Sequence, residues 1–126
     1  MVQISKVNIS KKNKIFCFDI DNTICKTKKN NYLKSKPYKN KILLINKLYK
    51  KGYYIKIFTS RYMGRNHEKK KKAIEQGFKK TKFQLKKWGI LYHKLIFGKP
   101  SYDILIDDKS LFFNKKWQKL LEKKYL

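Results

Sequence analysis

The chain has 126 residues, of which 34 are Lys or Arg and 8 are Asp or Glu, giving a formal net charge of +26. At 41% hydrophobic and 33% charged it is neither a disordered polyelectrolyte nor a fibrous repeat, and no run nears the roughly 20 apolar residues that a membrane span needs. The expectation is one soluble globular domain over residues 1–126, with no membrane partner.

The charge invites a nucleic-acid reading, but only Arg61 and Arg65 are Arg. Specific readers of phosphate and base edges favour the bidentate Arg fork, so no specific nucleic-acid partner is expected, only salt-sensitive attraction to polyanions. Cys17 and Cys25 lack the CxxC spacing and histidine company of a zinc site. The opening MVQISKVNISKKNK lacks the apolar stretch of a signal peptide, and a cytoplasmic location is the default.

In chain order, residues 1–13 alternate Val2, Ile4, Val7 and Ile9 with polar residues, which reads as an edge strand or a loose arm. KIFCFD is a buried strand ending on an acid. Ile20 to Lys36 is the polar loop it opens into, closed by Pro37. YKNKILLINKLYKKG sets Tyr38, Ile42, Ile45 and Leu48 at helical spacing and stops at Gly52. YYIKIF is a second strand with Thr59, Ser60 and Arg61 at its end. RNHEKKKKAIEQG reads as a polar helix, and KTKFQLKKWG as a second short one with Phe83, Leu85 and Trp88 toward the core. KLIF is a minor strand, YDILI a clear buried strand ending in Asp107 and Asp108, and NKKWQKLLEKKY a closing helix. Strands alternating with helical segments predict an α/β fold: a three-layer Rossmann-like sandwich with a mostly parallel sheet and helices on both sides.

Aspartate is the informative residue. The chain has five, and Asp19, Asp21, Asp107 and Asp108 follow the two most apolar strands. Function in open parallel sheets gathers outside the carboxyl ends of the strands, so the two pairs are expected to share one crevice. Four carboxylates there repel unless a cation joins them, and Mg²⁺ suits oxygen ligands that must stay ionised. Thr59 can donate to a phosphate oxygen, and Lys99, held between Gly98 and Pro100, can reach the same crevice. His67 and His93 read as surface or packing residues. Arg61, two residues past Thr59, is a candidate for a substrate phosphate or carboxylate.

FDIDNT resembles the first motif, DxDxT, of the haloacid dehalogenase-like phosphohydrolase superfamily. IFTSR resembles its second motif, Lys99 in FGKP its third and ILIDD its acidic fourth, in family order over residues 14–108. QLKKWGILYHKLIFGKPSYDILIDDKS looks like the small bacterial branch found with capsule or surface-polysaccharide biosynthesis. The resemblance implies a Mg²⁺-dependent phosphomonoesterase. Asp19 would be the nucleophile that becomes an aspartyl phosphate, and Asp21 the acid and base and, through its carbonyl, a metal ligand. Thr59 would hold a phosphoryl oxygen and Lys99 would neutralise charge, while Asp107 and Asp108 would complete the metal site beside Asp19 and Asp21.

Asp21 to Thr59 spans 38 residues and Thr59 to Lys99 spans 40, both consumed by helix and strand, so no cap domain is expected. An open site suits a phosphorylated sugar or related metabolite, with self-association covering the opening. Two alternatives stay open: a phosphatase of nucleotides or nucleic-acid ends, and a non-enzymatic phosphoacceptor or binding domain.

Overall fold

A computed structural model describes residues 14–126; the edge strand or arm expected over residues 1–13 lies outside the described residues. Three strands form a parallel sheet: β1 (Ile15–Phe18), β4 (Tyr54–Thr59) and β5 (Lys94–Phe97), in the order β1-β4-β5. A separate antiparallel ribbon joins β2 (Cys25–Lys26) to β3 (Lys36–Pro37). Helices α1 (Lys39–Lys50), α2 (Lys70–Lys87) and α3 (Trp117–Tyr125) complete a small mixed α/β fold.

The register explains the packing. Phe16 and Phe18 pair with Ile55 and Ile57, Ile57 pairs onward with Leu95, and Thr59 pairs with Phe97. Side chains matched in a parallel register share a face, and this face is the buried one. Strands laid down in the order β1, β4, β5 with right-handed crossovers put α1 and α2 on the same side. Phe97 meets Phe78 of α2 at 5.4 Å, and α3 closes over the other end, with Trp117 5.5 Å from Phe18 and Tyr125 5.1 Å from Phe16. Lys41 of α1 ties α3 down, its Nζ donating to the Lys115 carbonyl at 2.9 Å beside the Trp117 ring.

The alternate strand residues Ile15, Cys17 and Lys94 are exposed, and Lys56, Phe58 and Ile96 are half-buried. Helices therefore cover one face of the sheet among the described residues, not both as expected. YDILI, expected as a buried strand, is not one. Residues 98–116 contain no helix or strand, and Ile104 and Ile106 are 79% and 92% exposed. Hydrophobicity alone makes this run a strand candidate, and the outer edge of β1 that such a strand would join is unpaired among the described residues.

Two smaller expectations also change. The two helical segments expected between β4 and β5 are one continuous helix, whose buried stripe runs Ala73, Gly77, Thr81, Gln84 and Leu85. That phase turns Phe83 out to 64% exposure. The helix runs through Gly77, where the Tyr62 ring occupies the space a Cβ would take. KLIF, expected to be minor, is the full third strand.

Candidate active site

The carboxyl ends of β1, β4 and β5 converge on one crevice. After β1 the chain turns sharply: Thr23 and Ile24 both donate backbone N–H to the Ile20 carbonyl, at 3.1 and 2.9 Å, and Asn22 takes φ 61°. Asn tolerates this left-handed backbone better than most residues. Ile20 and Ile24 are fully buried, so they anchor the turn and leave Asp19 and Asp21 at its lip.

Asp19 is held from two sides. Thr23 Oγ1 donates to Oδ2 at 3.0 Å, and Lys99 Nζ lies 3.3 Å from Oδ1. Lys99 is placed by its backbone N–H, which bonds the Thr59 carbonyl at 3.2 Å, and by the preceding Gly98 at φ 99°. Burial alone would lower the pKa of the Lys99 ammonium; the Asp19 carboxylate and the Tyr102 phenol outweigh it and hold the ammonium above the ordinary lysine value. Lys99 thus touches both Asp19, through its side chain, and Thr59, through its backbone.

Asp21 has a different environment. Arg61 grips it with Nε 2.9 Å from Oδ2 and Nη2 2.9 Å from Oδ1, and Thr27 Oγ1 donates to Oδ1 at 2.5 Å. The guanidinium is in turn fixed by Gln84 Oε1 at 2.6 Å and lies 5.0 Å over the Tyr32 ring. Arg61 is 1% exposed, so the expectation that it meets substrate is corrected: a buried fork spent on an internal carboxylate has no donor turned to solvent. Thr59 is equally buried; its Oγ1 accepts the Arg61 N–H at 3.1 Å, which leaves the hydroxyl proton free to donate.

Asp107 and Asp108 do not join this crevice. Both are exposed, and Asp107 accepts a hydrogen bond from Ser110. Asp19 and Asp21 offer the hard oxygen donors that Mg²⁺ prefers, but each already faces a protein cation. Among the described residues no group of three or more His, Cys, Asp or Glu could hold a metal ion. As placed, the residues do not fit the expected four-carboxylate Mg²⁺ site.

Three side chains at the crevice were missed in the sequence: Thr27, Thr81 and Gln84. A signal existed for two of them. Thr81 and Gln84 are polar residues within the apolar stripe of α2, a placement that calls for a buried partner. The cysteines are both free, Cys25 buried and Cys17 exposed, and burial pushes the Cys25 thiol up in pKa. Among the described residues no helix is long and apolar enough to cross a membrane.

No protein-family model matches the chain, and no curated protein does. Among solved structures it is similar to the crystal structure of an MCSG target from Vibrio cholerae. That likeness has 22% identity and a TM-score of 0.73, and covers 88% of this chain and 98% of that one. At this identity it shows a shared fold.

Proposed function

We propose that the chain is a haloacid dehalogenase-like phosphomonoesterase in which Asp19 attacks phosphorus and carries the phosphoryl group. One observation carries the reading. Asp19 at the end of β1 faces Lys99 at 3.3 Å, and Lys99 is pinned by its backbone to Thr59 at the end of β4. A carboxylate and an ammonium from distant segments meet at the strand ends, with Thr59 bonded through its carbonyl to the Lys99 backbone, a place and a charge pattern suited to displacement at phosphorus. Lys99 offsets the charge of Asp19 as an anionic ester approaches, and Thr59 holds the Lys99 backbone in place through its carbonyl. Asp21, held by Arg61, would exchange a proton with the leaving oxygen and then with water.

The finer fold belongs to the same proposal. Residues 102–106 dock in parallel along the free edge of β1, extend the sheet and carry Asp107 and Asp108 toward Asp19. The outer edge of β1, unpaired among the described residues, supports this, since a parallel strand docked there would end beside Asp19. A Mg²⁺ ion would offset the two carboxylates so added. The open crevice, with no cap between β1 and β4 or between β4 and β5, fits a phosphorylated sugar or similar metabolite.

A second reading rests on the Arg61 fork. If Asp21 stays engaged, hydrolysis of the aspartyl phosphate is slow and the domain acts as a phosphoacceptor. One experiment separates the two: release of inorganic phosphate from a generic phosphomonoester in the presence of Mg²⁺, by the wild type and by Asp19→Asn. Steady turnover lost in the variant supports the enzyme. One phosphate retained per chain, with no turnover, supports the acceptor, and equal turnover by both proteins removes Asp19 from either role.

A further inference from the structure

The β2–β3 ribbon has two faces with opposite chemistry. Cys25 and Thr27 point inward, Thr27 to the Asp21 carboxylate and the Ser35 hydroxyl. The outward face carries a cleft of about 480 Å³ lined by Lys26, Lys28, Lys29, Asn31, Lys34 and Lys36. Lys26 and Lys36 stand directly opposite each other in the ladder, a like-charge pairing that weakens a strand pair.

This is more than a solvated lysine face, for three reasons. No acidic residue occurs from Asn22 to His67, and among the described residues none of the five lysines forms an ion pair. Asp21, the nearest acid in sequence, is turned to the other face and spent on Arg61 and Thr27. The loop is also fixed. Lys29 and Asn30 adopt φ 49° and 57°, Asn31 N–H bonds the Lys28 carbonyl at 2.9 Å, and Arg65 Nη2 bonds the Asn30 carbonyl at 3.0 Å. Tyr32, buried, is wedged 4.8 Å from Tyr62. A left-handed lysine is costly for a side chain with a Cβ, and here it gathers like charges that a loose loop would separate.

We infer that this cleft is an anion site that takes a diphosphate group, distinct from the crevice at Asp19 and independent of the function proposed for it. Five point charges on flexible stems, with the Asn31 amide among them, suit a compact anion of three or four charges; a monovalent ion would leave most of the repulsion in place.

The test is titration of the full chain with inorganic pyrophosphate in metal-free buffer at fixed ionic strength, followed by backbone amide NMR shifts. Saturable shifts should centre on residues 26–36. Lys26→Glu/Lys36→Glu, at two exposed positions, should weaken binding at least about tenfold. Lys79→Glu/Lys82→Glu on α2 changes net charge by the same amount and should weaken it less than about threefold. A nucleoside diphosphate tested beside pyrophosphate tells whether the diphosphate alone is recognised or is part of a larger ligand. Equal weakening by the two double variants, or shifts confined to Asp19, Thr59 and Lys99, would overturn the assignment. Amide spectra of the variants without ligand report whether the ribbon is intact, and Lys26→Gln/Lys36→Gln repeats the test without new negative charge.

Discussion

Arg61 and Asp21, 40 residues apart, form a bidentate pair in which the guanidinium is fully buried and the carboxylate side chain is 21% exposed. Breaking such a pair from the buried side leaves an uncompensated carboxylate and strips Gln84 of its partner. Arg61→Met is therefore expected to cost about 3 kcal/mol in urea unfolding. Arg61→Lys should recover only part, since a point charge cannot serve Asp21 and Gln84 together. A Met variant within about 0.5 kcal/mol of wild type would mean that the pair is solvated in effect.

Lys99 gives an alkaline prediction. Its folded pKa is raised above the unfolded value of 10.5, so the attraction to Asp19 stabilises the fold fully below that value and is lost as pH rises through the folded one. The stability difference between wild type and Lys99→Met, from denaturant midpoints, should shrink from pH 8 to pH 11.5. A constant difference would remove the ion pair as its source.

His93 gives the acidic counterpart. Its ring lies 4.5 Å from Tyr49 and 4.4 Å from Tyr54, and its Nδ1 accepts the Ile55 N–H at 3.0 Å, which requires that nitrogen to be unprotonated. Burial holds its pKa below the ordinary 6.5. The neutral ring's contribution is thus present above pH 6.5 and lost as pH falls through the lowered value. His93→Phe keeps the stacking and loses the acceptor, so it should be less stable at pH 7.5 and closer to wild type at pH 5. Parallel pH profiles for the two proteins would contradict this.

Much of this architecture was legible because it depends on local apolar runs. KIFCF, YYIKIF and KLIF are strands, and the spacing of Ile42, Ile45 and Leu48 sets α1, since each pattern buries one side of one element. The convergence of Asp19, Thr59 and Lys99 followed from their positions at strand ends. What failed needed tertiary information. YDILI has a strand's composition, and composition cannot say whether an edge is occupied. Arg61 has a substrate reader's position, and only the polar pair Thr81 and Gln84 on the stripe of α2 reveals that its partners are internal.

Gly77 reverses a usual rule. Gly to Ala inside a helix normally adds about 1 kcal/mol of stability. Here a methyl group would strike the Tyr62 ring, which meets Tyr32 edge to face and lies under Arg65. Overpacking against a wedged ring costs about 1–3 kcal/mol, so Gly77→Ala should lower the melting temperature. A higher melting temperature would show that Tyr62 moves aside freely.

The most discriminating substitution is Ile106→Asp. At 92% exposure this residue should tolerate the change within about 0.5 kcal/mol if residues 102–106 stay as described here. If the segment docks on the free edge of β1, as the proposed function requires, Ile106 becomes a strand residue next to Asp107. A carboxylate at that position then opposes docking through the cost of burying an unpaired charge, about 2 kcal/mol or more. The expected result is the second one: loss of stability together with loss of Mg²⁺-dependent turnover. Amide hydrogen exchange in the wild type supplies an independent readout, because a docked strand protects the backbone of residues 103–106 and an exposed segment does not. Unprotected amides, a neutral Ile106→Asp and turnover unaffected by Asp107→Asn would together leave Asp19, Lys99 and Thr59 as a site that works without the acidic pair.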